Sequence, residues 1–304
     1  MKRYLDPKSD LTFKRVFGEH KDIMISFLNA LLPLQEDNEV VDIEYLPTEL
    51  VPEIPTKKDS IVDVRCKDTK GRQFIVEMQM YWTNAFMQRA VFNTCKAYAT
   101  PVERGQKFRE IKPVYTISMI NDIAFPDLPD DYYHCYLLTN QKHPDMTINE
   151  IEMVFIELPK FKPKGIADKK MMVLWLRFLT EIDEHTREIP EEMANDELLT
   201  KALSVLEYSC YSDAEMRYID RYWDMVSRER TMTSDSEDKG REEGIEIGME
   251  IGMEKGMEKG MEKGREEGER KATLATARNL KAIGIPAETI AQATGLSVEE
   301  IEGL

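Results

Sequence analysis

Between Ile61 and Met80 apolar and polar residues alternate with a period of two, interrupted once by Lys67-Asp68-Thr69-Lys70-Gly71-Arg72. The pattern predicts two strands, Ile61 to Cys66 and Phe74 to Met80, folded into a hairpin about a polar turn that contains glycine. Side chains on a strand alternate faces. Asp63 is therefore expected to share a face with Ile61 and Arg65, while Val62, Val64 and Cys66 point the other way. Glu77 and Gln79 share a face opposite to Phe74, Val76, Met78 and Met80. A hairpin centred on Lys70 sets Asp63 directly opposite Glu77, with Cβ atoms roughly 4.5–5.5 Å apart.

Two carboxylates side by side on an otherwise apolar ribbon repel each other, and the arrangement is costly unless a positive charge lies between them. A divalent cation is such a charge. Mg²⁺ is usually held by one or two carboxylates together with waters and a substrate phosphate. The backbone carbonyl of Met78, between Glu77 and Gln79, is a further candidate ligand. From spacing alone, two exposed acids on a solvated hairpin face are the plainer reading.

The surrounding pattern mixes helix and strand. Asp10 to Leu32 has helical spacing with a break expected at Gly18, and Pro33 ends it. Val40–Leu46, Pro113–Ile120, Tyr132–Leu138 and Glu152–Leu158 read as strands, and Thr83 or Asn84 caps a helix running to about Tyr98. This predicts an α/β (α+β) core over residues 1–160, followed by a helical subdomain over 161–235. Over 236–271 glycine recurs at every fourth position from Gly240 to Gly268, with Met, Glu and Lys between. A four-residue step turns a helix by roughly 400°, so the glycine stripe drifts and makes no straight seam. A marginal helix or a flexible tether is expected, roughly 50 Å long if helical. Residues 272–304 read as a small helical unit with helix-turn-helix-like spacing at Ala291, Gly295 and Ile301. Its last helix carries Glu299, Glu300 and Glu302 and no basic residue, which favours docking or capping over reading DNA. Residues 236–304 are also the expected seat of any homo-oligomer.

Charge bears on the partner. The chain of 304 residues has a net charge of −16, yet residues 57–112 carry a net of +6. Nucleic-acid binding is a local property, so the total does not exclude it. No run of about 18 apolar residues is present, which predicts no membrane span. Met1 to Asp10 lacks an apolar signal core, and the four scattered cysteines (Cys66, Cys95, Cys135, Cys210) suggest a cytoplasmic protein with reduced thiols. The four histidines share no ligand spacing, and the absence of a GxGxxG or P-loop argues against a nucleotide cofactor.

Asp63, thirteen intervening residues and then Glu77-Met78-Gln79 resembles the D…(D/E)xK site of PD-(D/E)XK nucleases. The stretch from Tyr4 to Gly18, the Gln88-Arg89-Ala90 helix and Lys112 to Met119 extend the resemblance to the recombination-promoting nuclease and transposase branch of that superfamily. It implies a restriction-endonuclease-like core with a mixed sheet and metal-dependent hydrolysis of DNA phosphodiesters. Asp63 and Glu77 would be ligands of Mg²⁺, or of Mn²⁺ in its place. Asp10 would support the site from the first helix, and Gln79, where the pattern usually has lysine, would orient water by hydrogen bonds. Candidate DNA contacts are Lys14, Lys58, Arg65, Arg72, Gln88 and Arg89, with Lys57 and Lys96 adding to the basic surface. The alternative is a catalytically weak or inactive module of the same fold that binds DNA or protein.

Overall fold

A computed structural model of the chain describes residues 3–50, 60–99, 107–162 and 170–304. The strands are β1 (Ile43–Tyr45), β2 (Glu49–Leu50), β3 (Ser60–Ile61), β4 (Val64–Asp68), β5 (Gln73–Gln79), β6 (Val114–Ile120), β7 (Tyr133–Thr139) and β8 (Thr147–Glu157). The helices are α1 (Asp10–Glu19), α2 (Lys21–Leu31), α3 (Asn84–Ala99), α4 (Lys170–Glu181), α5 (Glu191–Ala194), α6 (Glu197–Val205), α7 (Asp213–Ala282), α8 (Ala287–Thr294) and α9 (Val298–Glu302). Six strands form one mixed sheet in the order β1-β4-β5-β6-β8-β7, and β2 pairs with β3 alone. The centre, β5-β6-β8, is parallel, and the flanking pairs are antiparallel. A parallel neighbour needs a crossover, and α3 is the crossover from β5 to β6.

The hairpin turn sets the register. Asp68 Oδ1 accepts the backbone N–H groups of Lys70 (3.0 Å) and Arg72 (2.8 Å). Gly71 takes φ +82°, a conformation that a side chain strains. Arg72 closes the turn from inside: its Nε donates to Asp68 Oδ2 at 2.7 Å, and its guanidinium lies over the rings of Phe74 and Tyr115. β4 and β5 then pair Val64 with Val76 and Lys67 with Gln73.

One sheet face packs against α1, α2, α4 and α6. Phe74, Val76, Met78, Ile117 and Val154 meet Phe13, Phe17, Phe27, Trp175 and Phe178 there. Phe17 lies 4.8 Å from Phe13, 4.4 Å from Phe27 and 5.8 Å from Trp175, centroid to centroid. Aromatic burial of this kind welds the helices after residue 170 to the same core as the sheet. The other face packs against α3, where Ile75, Val114 and Ala97 cluster and the Thr94 and Thr116 hydroxyls pair at 2.7 Å.

Several elements depart from the sequence reading. The first helix breaks at His20, which ends α1 and opens α2, and not at Gly18. The strand expected over 61–66 is interrupted at Val62 and Asp63, because the Val62 N–H donates to Thr48 O at 3.1 Å instead of continuing the ladder. Val62 consequently packs with Leu50, Ile75 and Ala97 on the α3 side, while Val64 and Cys66 face the main core. The three do not share a face. The glycine repeat does not depart: of the two expected forms, helix or tether, it takes the helix throughout, inside α7.

Residues Met1–Arg230 form one compact unit and Thr231–Leu304 a second. The boundary expected near 160 thus falls inside the first unit. In the second unit Ala277, Ile290 and Ile301 form a small core, Gly295 ends α8 at φ +74°, and Ser297 and Glu300 make a capping box for α9. Among the described residues no helix is long and apolar enough to cross a membrane.

Candidate active site

Continuing the β4–β5 register by one step sets Asp63 opposite Glu77. β4 stops just short of that pair, and the Asp63 carboxylate takes over the free edge: its Oδ2 accepts the Met78 N–H at 2.7 Å. The N–H and C=O of one strand residue leave on the same side of the strand. The Met78 carbonyl therefore points toward the Asp63 edge, whereas the Gln79 carbonyl points the other way and accepts from Asn121 N–H at 2.8 Å.

Glu77 is only 4 % exposed, because its sheet face is the one that α3 covers. Asn93 on α3 donates to Glu77 Oε1 at 3.4 Å. Glu77 Oε2 is buried and finds no hydrogen-bond partner among the described residues. Ser118, the neighbour of Glu77 in register on β6, likewise has a buried Oγ without such a partner. Burial, and then the negative charge of Asp63, push the Glu77 carboxyl up to about 7, against the pull of Arg89 and Asn93. Asp63 is also raised, by burial first; the Met78 N–H, Lys14 and Arg89 oppose this, and Asp10 adds to it.

Asp10 enters from the first turn of α1. Ser9 caps that helix, its Oγ accepting Thr12 N–H at 3.3 Å. Lys14 Nζ pairs with Asp10 Oδ1 at 2.6 Å, and the Tyr218 hydroxyl donates to Asp10 Oδ2 at 2.9 Å. Burial works against the charge on Lys14, but the hydrogen bond and charge of Asp10 outweigh it and leave the Lys14 pKa raised. Asp10, Asp63, Glu77, Gln79 and Arg89 line one cleft of about 380 Å³, joined by Lys8 and by Tyr222, Met225 and Glu229 of α7. The Gln79 side chain spans two neighbours. Its Nε2 donates to Tyr81 O at 2.7 Å, and its Oε1 accepts from Arg89 Nη2 at 2.9 Å.

The remaining expected contacts scatter. Arg72 is buried, ion-paired to Asp68 and hydrogen-bonded to Asn38 O at 2.9 Å. It is part of the turn, which corrects its assignment to a DNA-facing surface. Arg65 Nη2 donates to Gln73 Oε1 at 2.7 Å, and burial lowers its pKa. Lys96 donates to Leu50 O. Gln88 is exposed on α3 and lies outside the cleft lining. Lys57 and Lys58 lie outside the described residues.

Sequence reasoning missed Lys8, Asn93, Ser118, Tyr218 and Tyr222. Asn93 is four residues after Arg89 and so shares its helix face; that spacing was a usable signal. Ser118 becomes visible only with the β5–β6 register. Tyr222 has the spacing of helical core with Met216, Ile219 and Val226, so the sequence marks it as packing.

Among the described residues no set of three or more His, Cys, Asp and Glu side chains is arranged to hold a metal ion. What converges is two acids and one main-chain carbonyl. Their chemistry suits a hard divalent cation that keeps several waters. The orphaned Glu77 Oε2 fits too, since a buried polar atom without a partner is explained by an ion or water at that atom.

Among curated proteins and among solved structures nothing matches the chain. The family described as PD-(D/E)XK nuclease family transposase matches residues 7–230, a span that closes where the first compact unit closes. That match covers most of the chain and all of the cleft, and the chain belongs to the PD-(D/E)XK nuclease family transposases.

Proposed function

We propose that the chain is a metal-dependent DNA endonuclease that hydrolyses phosphodiester bonds, linked to recombination or mobile elements. The observation that carries this reading is the convergence of Asp63 and Glu77 on one cleft, with Glu77 Oε2 buried and unpartnered. Asp63, Glu77 and the Met78 carbonyl would hold the cation, Mg²⁺ or Mn²⁺. Once bound, such an ion acidifies a water and offsets charge on a phosphate. Asp10, itself held by Tyr218, keeps Lys14 beside the acids, and Arg89 adds positive charge to the cleft wall, whereas the Lys8 ammonium is spent on Asp6 and the Leu179 carbonyl. These cations suit a phosphodiester, and the net of +6 over residues 57–112 agrees with them.

The test is cleavage of supercoiled plasmid with Mg²⁺ or Mn²⁺, beside Asp63→Ala and Glu77→Ala. Nicking by the parent and loss in both variants is expected. Nicking that survives both substitutions removes these acids from the chemistry. A second reading, a binding module without catalysis, draws on Gln79: neither it nor its tie to Tyr81 brings a charge to the site. DNA binding that needs no metal, with no cleavage under any divalent ion, selects that reading.

A further inference from the structure

Two residues beyond Glu77 stands Gln79, an uncharged side chain at a position facing the cleft. A phosphoryl centre under attack gains negative charge, and a fixed cation beside it is among the largest sources of rate acceleration. The cleft obtains such a cation from a different element. Arg89, on the second turn of α3, reaches across to Gln79 and lines the same cavity as Asp63 and Glu77.

The tie is directional. Tyr81 O accepts one N–H of the Gln79 amide, which turns the amide oxygen toward Arg89. A lysine at 79 would repel the guanidinium, and a glutamate would neutralise it. Glutamine binds it and leaves its charge intact, using one of five N–H donors. The guanidinium also lies 5.0 Å over the Phe86 ring, which limits its swing. One turn further on, Asn93 touches Glu77, so a single face of α3 addresses both the acid and the cation. The field of Arg89 reaches both acids, opposing the rise in each pKa.

We propose that Arg89 is a catalytic residue whose guanidinium, mounted on Gln79, contacts the scissile phosphate, and that Gln79 is its positioning residue. The proposal rests on the nuclease reading of the cleft. Arg89 makes and breaks no covalent bond. Water oxygen forms the new P–O bond and releases a proton to solvent, the P–O bond to the sugar breaks, the departing sugar oxygen leaves with the electron pair and takes a proton from solvent, and Arg89 keeps its protons while donating hydrogen bonds to a non-bridging oxygen.

The experiment compares the full-length parent with Arg89→Ala, Gln79→Ala and the double variant Gln79→Lys/Arg89→Ala. Three quantities are read: the single-turnover rate on saturating plasmid with Mn²⁺, DNA affinity with Ca²⁺ in place of Mn²⁺, and Mn²⁺ affinity by electron paramagnetic resonance without DNA. Arg89→Ala should slow cleavage about 10²-fold. Its DNA affinity should change little, and its Mn²⁺ affinity should stay level or rise, because a competing positive charge has gone. Gln79→Ala should show a smaller loss of the same kind. Lysine at 79 should restore at least about 10-fold of the rate in the double variant. Cleavage at the parental rate by Arg89→Ala overturns the proposal while leaving the nuclease reading intact. A loss confined to DNA affinity makes Arg89 a plain phosphate contact, and a joint loss of Mn²⁺ affinity makes it structural; either outcome overturns it. A parent that cleaves under no divalent ion refutes the nuclease reading and the proposal together.

Discussion

Replacing Glu77 by glutamine should stabilise the metal-free protein, and the gain should depend on pH. In the folded chain burial and the neighbouring Asp63 raise the carboxyl from 4.5 to about 7. Each pKa unit corresponds to about 1.4 kcal/mol, so ionising Glu77 in place opposes folding by about 3 kcal/mol. The sign follows from proton counts. Between pH 4.5 and 7 the native state holds a proton that the unfolded chain has released, so stability falls as pH rises through that window. Below the window both states are protonated, and above it the loss is complete. Glu77→Gln removes the titrating group. At pH 8 the variant should gain up to about 3 kcal/mol, or about 6–12 °C in melting temperature for a unit of this size. Near pH 4.5 the gain should vanish. Thermal unfolding in EDTA, followed by tryptophan fluorescence, reads the first unit through its buried Trp175. A variant less stable than the parent at pH 8, or an offset that ignores pH, would falsify the argument. A cation at 1,000 times its dissociation constant should reverse the order, since it stabilises only the chain that binds it, by about 4.1 kcal/mol.

Arg72→Ala leaves Asp68 buried without its partner, so chemical denaturation should show a loss of about 3–5 kcal/mol, with DNA affinity per folded molecule unchanged. Were Arg72 a phosphate contact, affinity would fall as well. Ser118→Ala deletes a buried hydroxyl that bonds to no described group, and it should leave the denaturation midpoint level or slightly higher. A drop of more than about 1 kcal/mol would reveal a partner that the hydroxyl normally engages. Alanine at the eight glycines from Gly240 to Gly268 meets open space at every site, and each change should favour the helix by about 1 kcal/mol. Circular dichroism at 222 nm should rise while the Trp175 transition stays put. Unchanged helicity would mean that the repeat is already saturated by other contacts.

The hairpin was legible because its information is local. Asp68, Gly71 and Arg72 make the turn by themselves, and the turn alone sets Asp63 against Glu77. The burial of that pair was not legible. Alternation marks Glu77 as polar-facing, and only the crossover helix α3 shows that this face is covered. The strand break at Val62 was invisible for a similar reason, since it depends on the carbonyl of Thr48 in another segment. Arg72 misled because basic residues in turns usually project into solvent, whereas this one folds back over Phe74 and Tyr115. Tyr218 and Tyr222 lie on one face of α7; Tyr222 reads as core spacing and Tyr218 carries no signal in the sequence. Their closeness to Asp10 and the cleft depends on how α7 packs on the first helix.

The break in β4 is where structure and chemistry meet. Had the ladder continued, Val62 would face Met78, and the Met78 N–H and C=O would both be spent on strand pairing. Asp63 would then lack its main-chain donor, and the Met78 carbonyl would be closed to any cation. The bend exchanges ordinary ladder bonds for one charge-assisted bond to a carboxylate and leaves a carbonyl at the same edge. It also leaves two like charges close together, with Glu77 Oε2 unpartnered, at a cost in stability. The aromatic cluster of Phe13, Phe17, Phe27, Trp175 and Phe178 lies on the opposite face, where it stabilises the unit without touching the acids. Weakening that cluster should lower stability at every pH alike, whereas changes at Glu77 should alter its slope with pH. The two faces of one sheet thus separate holding the fold from tuning the site.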